Sequence, residues 1–165
     1  MITKEQLIDS IVKELLIIKH LAGKLTQGDL SYRPTEKQRS MQELLEYLAY
    51  IFSSSVSVII SGDRGGYEAG KKEVGIVTLE NFTSLMEKQI EKVRESILGI
   101  TDDELNTSID VYGVDTRALH LFNKTLKWSV AYKMQLFLYM KSAGHTELVT
   151  ANLWRGSDPE VTVKA

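Results

Sequence analysis

The sequence contains no cysteine, two prolines and no long apolar run. Without cysteine the chain forms no disulfide, no thiolate zinc site and no cysteine nucleophile, which is compatible with a reducing compartment. Its unbroken apolar stretches, such as Leu15 to Ile18, are far shorter than the roughly 20 residues that span a bilayer. The first residues also lack the basic and apolar regions of a signal peptide. We therefore predict a cytoplasmic protein with no membrane partner.

The charges are nearly balanced, with 20 Lys and Arg against 22 Asp and Glu and a net charge of −2. Proteins that bind duplex nucleic acid normally carry a basic face or a basic pI. The short basic cluster Gly70-Lys71-Lys72 is interpreted as solvated loop charge. The composition therefore predicts no nucleic-acid partner.

Four long segments show the three- and four-residue apolar spacing of amphipathic helices. The predicted helices run from Thr3 to near Gly28, from Ser40 to about Gly62, from Thr78 to Gly99, and from about Arg117 to Ser142 before Gly144. No run of alternating strands is visible, and only a short extended stretch is expected around residues 109–114. The 165 residues fit one core, so residues 1–165 are predicted to form a single all-α four-helix-bundle domain with a loose tail at about 155–165.

The connections and the second helix carry two further features. The glycine-rich connection from Gly62 to Thr78 is long enough to run along the bundle as a crossover. Ser53, Ser54 and Ser55 are small residues in an otherwise apolar helix, and they would let another helix or a ligand approach closely.

The three histidines do not suggest a metal site. His120 and His145 stand near opposite ends of the fourth predicted helix, over about 30 Å apart, so they cannot share an ion. His20 is interpreted as a surface or boundary residue.

The fourth helix carries an aromatic line. Trp128, Tyr132, Gln135 and Tyr139 recur at helical spacing, so one face presents three rings and an amide. Such a face can be a packed core with an internal hydrogen-bond network, a wall of a small-molecule pocket, or part of a metal site completed by residues that the sequence does not identify.

Two stretches resemble the DinB/YfiT-like superfamily of four-helix bundles. Residues 127–144 are similar to the last helix of that family, which carries His-x-x-x-His-Arg-Gly-Gln-Leu and ends before a Gly. Residues 30–34, Leu-Ser-Tyr-Arg-Pro, and the Arg39-Ser40 pair that follows are similar to its Tyr-Arg-Pro loop and second-helix start. Asp102-Asp103-Glu104-Leu105, after the third helix, fits the same pattern.

The resemblance implies an up-down-down-up bundle that is frequently a homodimer. It also implies a divalent metal held by three histidines from two helices, which some members use to activate a small thiol for transfer or to assist hydrolysis. The three aligned positions in this chain are Tyr47, Trp128 and Tyr132, and Lys133 replaces the Arg. A neutral phenol is a poor ligand for zinc or nickel, and the indole nitrogen has no free lone pair. We therefore predict no metal and no other cofactor.

These observations lead to a hypothesis of a binding or interaction protein without metal chemistry. Its candidate pocket consists of Tyr47, Trp128, Tyr132, Gln135 and Tyr139. No catalytic residue is assigned, and the alternative is a divalent-metal-dependent enzyme of the DinB/YfiT type, a thiol S-transferase or a hydrolase. A homodimer is also predicted, because Leu15 to Ile18 are apolar on every side of the first helix.

Overall fold

The computed structural model describes residues 3–160, which form a bundle of helices with one small hairpin. The α-helices are α1 (Lys4–Ala22), α2 (Met41–Leu48), α3 (Ile51–Ser61), α4 (Gly66–Val74), α5 (Leu79–Leu98), α6 (Asp102–Asn106), α7 (Arg117–His120), α8 (Lys127–Ala143) and α9 (Thr150–Trp154). A 3₁₀ turn spans Gln27–Asp29, a π-helical segment spans Leu121–Leu126, and the strands are β1 (Ser108–Asp110) and β2 (Val114–Thr116).

Four helical columns enclose the core in an up-down-down-up order. The columns are α1, α2 with α3, α5, and α7 with the π-helical segment and α8. α1 packs against α5 and α8, while α3 packs against α5 and the π-helical segment. The predicted all-α four-helix bundle is confirmed.

Several helix starts are capped by reciprocal side-chain hydrogen bonds. At Thr3, Ser40 and Thr101 the hydroxyl accepts the backbone N–H three residues on, and the Gln6, Glu43 or Glu104 side chain accepts the cap residue's own N–H. These reciprocal bonds satisfy N–H groups that have no partner inside the helix. Gly144 ends α8 with a φ of 115°, a left-handed conformation that suits glycine.

The second predicted helix is in fact two helices that break at Ala49 and Tyr50. Gln89 of α5 lies at the break and is 2% exposed. Its Oε1 accepts the N–H groups of Phe52 at 2.9 Å and Ser53 at 3.0 Å, and its Nε2 donates to the carbonyl of Leu48 at 2.9 Å. The buried amide thus replaces helical hydrogen bonds that the break removes.

Three other boundaries differ from the prediction. The first helix ends at Ala22, and the chain from there to Gly28 turns because Asp29 accepts the N–H and hydroxyl of Thr26. The crossover from Gly62 contains the helix α4, which has no buried residue and therefore gives no core-facing pattern. The extended stretch predicted around 109–114 is part of an antiparallel hairpin that is slightly longer, since β1 and β2 span 108–110 and 114–116 and pair Ile109 with Asp115.

The carboxyl-terminal region packs on α1 and α8. Within the predicted tail, residues 155–160 are described, and Asp158 accepts the amide of Asn152 at 2.9 Å. Residues 161–165 of that predicted tail lie outside the described residues.

The run Met41–Ser61 is long and apolar enough, by length and composition, to cross a membrane. In this fold 61% of its most apolar window is buried inside the bundle. The run is therefore accounted for as the core-facing column formed by α2 and α3.

Candidate binding site

α8 carries most of the predicted pocket. Because Lys127–Ala143 is regular α-helix, Trp128, Tyr132, Gln135 and Tyr139 share one side of it, as their spacing predicts. Trp128, Tyr132 and Gln135 are half-buried and Tyr139 is 4% exposed. α2 supplies the fifth predicted residue, Tyr47, from the neighbouring column.

Tyr47 and Tyr132 meet across the gap between α2 and α8. Their ring centroids lie 5.0 Å apart at an interplanar angle of 53°, and Tyr50 packs edge-on against Tyr47 at 5.8 Å. Burial, together with the neighbouring Tyr132 hydroxyl, raises the pKa of Tyr47 far above its usual range. Burial also raises the pKa of Tyr50. The phenols of Tyr47 and Tyr50 therefore remain neutral at physiological pH.

This arrangement does not fit a divalent cation. Zinc and similar ions require deprotonated or lone-pair donors, whereas the high pKa of Tyr47 opposes formation of a phenolate. Trp128 offers an indole N–H, which donates and cannot coordinate. Across residues 3–160, no group of three His, Cys, Asp or Glu side chains has an arrangement that could hold a metal ion.

Trp128 faces a different set of partners from Tyr132. Its ring packs edge-on against Tyr112 at 6.0 Å, and Tyr112 packs in the same way against His120 at 5.8 Å. The Tyr112 hydroxyl also contacts that of Tyr67 on α4. Trp128 therefore joins the hairpin and α4 to the fourth column.

Gln135 and Tyr139 form a third group, at the other end of the aromatic line. The Gln135 amide donates to the Tyr139 hydroxyl at 3.0 Å, and Tyr32 packs edge-on against Tyr139 at 5.8 Å. These three residues line a shallow cavity of about 430 Å³ together with Pro34 and Gln38.

A larger cavity, of about 480 Å³, opens beside Tyr47, and we call it the Tyr47 cavity. Its lining residues come from the loop before α2, from α2 itself and from the end of α4: Arg33, Lys37, Gln38, Arg39, Glu43, Glu46, Tyr47, Tyr50, Lys71, Val74, Gly75 and Val77. Sequence reasoning missed its cationic members. Lys71 was interpreted as solvated loop charge, yet it lies on α4 at the edge of the cavity.

α4 reaches this position because small residues let it approach α3. A Cβ atom added at Gly70 would lie 1.9 Å from the Ser54 hydroxyl, so a larger residue would require the Ser54 side chain to move. The same region carries a hydrogen bond of 2.9 Å between the hydroxyls of Ser55 and Thr125. The close approach expected at residues 53–55 is therefore made by a helix of the crossover.

Beside the aromatic line, Lys133 is a fully buried cation. It has no exposed surface, and its Nζ lies 2.5 Å from Glu14 Oε2 on α1 and 4.5 Å from the centre of the Trp154 ring on α9. Neither atom of this ion pair has a geometrically aligned hydrogen bond among the described residues. The pair holds α1, α8 and α9 together from inside.

The chain is similar to known proteins over most of its length. The curated uncharacterized protein YjoA of Bacillus subtilis is 24% identical over 151 residues, which cover 90% of this chain and 96% of that protein. The crystal structure of a DinB-like protein from Bacillus subtilis, also YjoA, matches this fold with a TM-score of 0.71 at 24% identity. That match covers 87% of this chain and 96% of the other. No family model matches the sequence.

Proposed function

From the premise that this chain is a DinB-like four-helix bundle, as its sequence predicted, we propose that it is a small-molecule-binding protein that works without a catalytic metal. The proposed site is the predicted set Tyr47, Trp128, Tyr132, Gln135 and Tyr139. Tyr47 lines the Tyr47 cavity, while Gln135 and Tyr139 line the shallow cavity beside Tyr32. In this proposal the positions that hold histidines in metal-binding members of the superfamily are occupied by Tyr47, Trp128 and Tyr132. We also propose that the protein acts in the cytoplasm.

The contact between Tyr47 and Tyr132 is the observation that carries the proposal. Two aromatic rings, rather than metal ligands, meet between α2 and α8, and Tyr47 also borders a cavity of about 480 Å³. Small-molecule sites combine aromatic surface with a few polar groups in this way. Gln135 and Tyr139 supply a second polar and aromatic group on the same helix side.

The alternative, a divalent-metal-dependent thiol S-transferase or hydrolase, would need donors that this region lacks. Its three candidate positions offer two phenols and an indole, as described above. No other observation favours this alternative.

One experiment separates the two functions. Protein purified in metal-free buffer is analysed for metal, and is then screened by ¹⁵N-resolved NMR against a mixed set of neutral and charged compounds of metabolite size. We expect less than about 0.1 zinc or nickel ion per chain, and amide shifts centred on Tyr47 and Tyr50. One bound ion per chain, or shifts confined to other surfaces, would contradict the proposal.

A matched pair of variants locates the binding. Tyr47→Ala removes the cavity wall and is expected to abolish the shifts, because the ring supplies the contact surface. Phe122→Ala removes an aromatic ring that is 39% exposed and borders a different cavity, near α1 and α6, so it is expected to leave binding intact.

Homodimer formation is a further part of the proposal. Leu15, Ile17 and Ile18 are buried within one chain, and Leu16 is 45% exposed, so α1 offers less free apolar surface than its sequence suggests. The fourth column adds Leu119, Phe122 and Leu138, all exposed, as further apolar surface for a second copy. A sedimentation mass of a single 18.6-kDa chain would contradict the dimer.

A further inference from the structure

The Tyr47 cavity has an excess of positive charge in an otherwise slightly acidic protein. Four of its lining residues are cations, Arg33, Lys37, Arg39 and Lys71, and two are carboxylates, Glu43 and Glu46. The formal charge of the lining is therefore about +2, against −2 for the whole chain. A cavity that concentrates one sign of charge focuses its field on ligands of the other sign.

Two of these charged residues, Arg33 and Glu43, neutralise each other. Arg33 forms an ion pair with Glu43 at 2.9 Å and also donates to the carbonyl of Gln38. The Ser40 N–H donates to Glu43 at 2.7 Å, and this bond, with Arg33 nearby, lowers the pKa of Glu43. The Arg33–Glu43 pair therefore fixes the loop before α2 and neutralises itself.

The other three cations have no such partner. Among residues 3–160, the ion pairs of the protein include none that involves Lys37, Arg39 or Lys71. The remaining carboxylate, Glu46, accepts the side-chain amide of Gln42 at 2.9 Å. The cavity thus presents three cations, drawn from two separate segments of the chain, around one opening.

Arg39 is the best placed of the three. Its guanidinium carbon lies over the Tyr47 ring, 4.2 Å from the ring centre, at the distance of a cation–π contact. The N–H groups lie in the plane of the guanidinium and are suited to paired hydrogen bonds with a carboxylate or a phosphate. Tyr47, Tyr50 and Val74 give the same cavity an apolar side.

We propose that the ligand of the Tyr47 cavity is a small organic anion, whose carboxylate or phosphate binds Arg39 and Lys71 while its apolar body packs on Tyr47 and Tyr50. The inference rests on the proposed binding function and adds the chemical class of the ligand. Lys37 contributes from the facing loop.

The test uses three probes that share one ring. Benzoate carries a carboxylate, phenyl phosphate carries a phosphate, and benzyl alcohol is neutral. Each is titrated into ¹⁵N-labelled protein at low ionic strength, because screening weakens charge contacts at exposed groups. We expect benzoate or phenyl phosphate, but not benzyl alcohol, to shift the amides of Tyr47, Tyr50 and Lys71 with saturation. The tighter of the two anions identifies the preferred group.

Three variants localise the charge effect. Arg39→Gln and Lys71→Gln are each expected to weaken anion binding by about tenfold, since each removes one charge-assisted hydrogen bond. Lys72→Gln makes the same charge change on the same helix at a residue that does not line the cavity, and is expected to alter binding by less than about twofold. All three side chains are exposed, so the fold is expected to persist.

The possible outcomes distinguish failure of the anion site from failure of the proposed binding function. Equal weakening by Lys71→Gln and Lys72→Gln would mean diffuse attraction and would overturn the anion site. Binding of benzyl alcohol at Tyr47 with no binding of either anion would overturn the ligand class and leave the binding function standing. If no probe, and no compound of the wider screen, shifts Tyr47 or Tyr50, both fail.

Discussion

Tyr132 and Lys133 are neighbours on α8, yet they serve two different regions of the molecule. Tyr132 turns toward α2, where half-buried neutral rings border an open cavity. Lys133 turns toward α1, where a charged side chain is enclosed by Glu14 and the ring of Trp154. One side of the helix thus packs a buried ion pair, while the other contacts the rings beside the Tyr47 cavity.

The two regions differ in how they tolerate substitution. An aromatic contact that is half open to water can be altered without leaving a buried charge. Substitution of one partner of a buried ion pair is more costly, because the other charge is left desolvated and unpaired. Stability should therefore depend on residue 133, and binding on the region of residue 132.

The largest effect is expected from Lys133→Leu. The substitution leaves Glu14 facing the core without its partner, at a cost of about 3–5 kcal/mol in the free energy of unfolding. Urea denaturation followed by circular dichroism measures the change. Lys127→Leu, at an exposed lysine of the same helix, is the matched control and should change the free energy by less than about 0.5 kcal/mol.

A double variant tests the reason for that loss. In Glu14→Leu with Lys133→Leu both charges are gone, and much of the stability should return. If the double variant is no more stable than Lys133→Leu alone, the loss comes from packing rather than from the unpaired carboxylate.

A smaller, pH-dependent effect is expected at the histidines near α9. Burial alone would lower the pKa of His145, but its bonds to Glu147 at 2.9 Å and Asp29 at 3.1 Å raise it above its ordinary value. The stabilisation that protonated His145 gives the folded state is therefore present below about pH 6.5, and it is lost as the pH rises through the folded-state pKa. At His20, burial and the nearby Lys24 lower the pKa, so its stabilisation is present above about pH 6.5 and is lost in acid.

The two histidines therefore act as controls for each other. His145→Gln should lower the free energy of unfolding more at about pH 5.5 than at about pH 8. His20→Gln should lower it less at about pH 5.5 than at about pH 8. Urea midpoints at the two pH values give the comparison. The same direction of change in both variants would show that neither local environment sets the pH dependence.

The smallest change in stability is expected from Tyr132→Phe. Only a half-buried hydroxyl is removed, so the free energy of unfolding should change by less than about 1 kcal/mol. The pKa of Tyr47 should fall but stay above its ordinary value, because burial is the larger cause of its shift. NMR titration of the Tyr47 ring measures it, and an unchanged pKa would mean that the two phenols do not interact.

Local signals made the four columns predictable. Capping at Thr3, Ser40 and Thr101 depends on residues three positions apart, and the apolar periodicity of each helix is visible in any short window. The break at Ala49 was not predictable in this way. It depends on Gln89, a residue of another helix whose proximity exists only in the folded chain.

The candidate site, like the fold, could be predicted only in part from the sequence. Spacing alone aligned Trp128, Tyr132, Gln135 and Tyr139, and the family resemblance brought Tyr47 opposite them. The cations of the Tyr47 cavity were missed because Arg39 and Lys71 line the same cavity only when the crossover folds back beside α2. The environment of Lys133 was missed because its partners lie at the two ends of the sequence.

The Gln89 bridge gives the molecule a built-in reporter. α2 carries Tyr47, α3 begins directly after the break, and the two amide protons held by Gln89 belong to the first turn of α3. We expect a tilt of α2 on ligand binding in the cavity to lengthen or shift these bonds, because Gln89 joins Leu48 of α2 to Phe52 and Ser53 of α3. Hydrogen–deuterium exchange at Phe52 and Ser53 should thus register occupancy from the far side of the helix, without a label at the cavity itself.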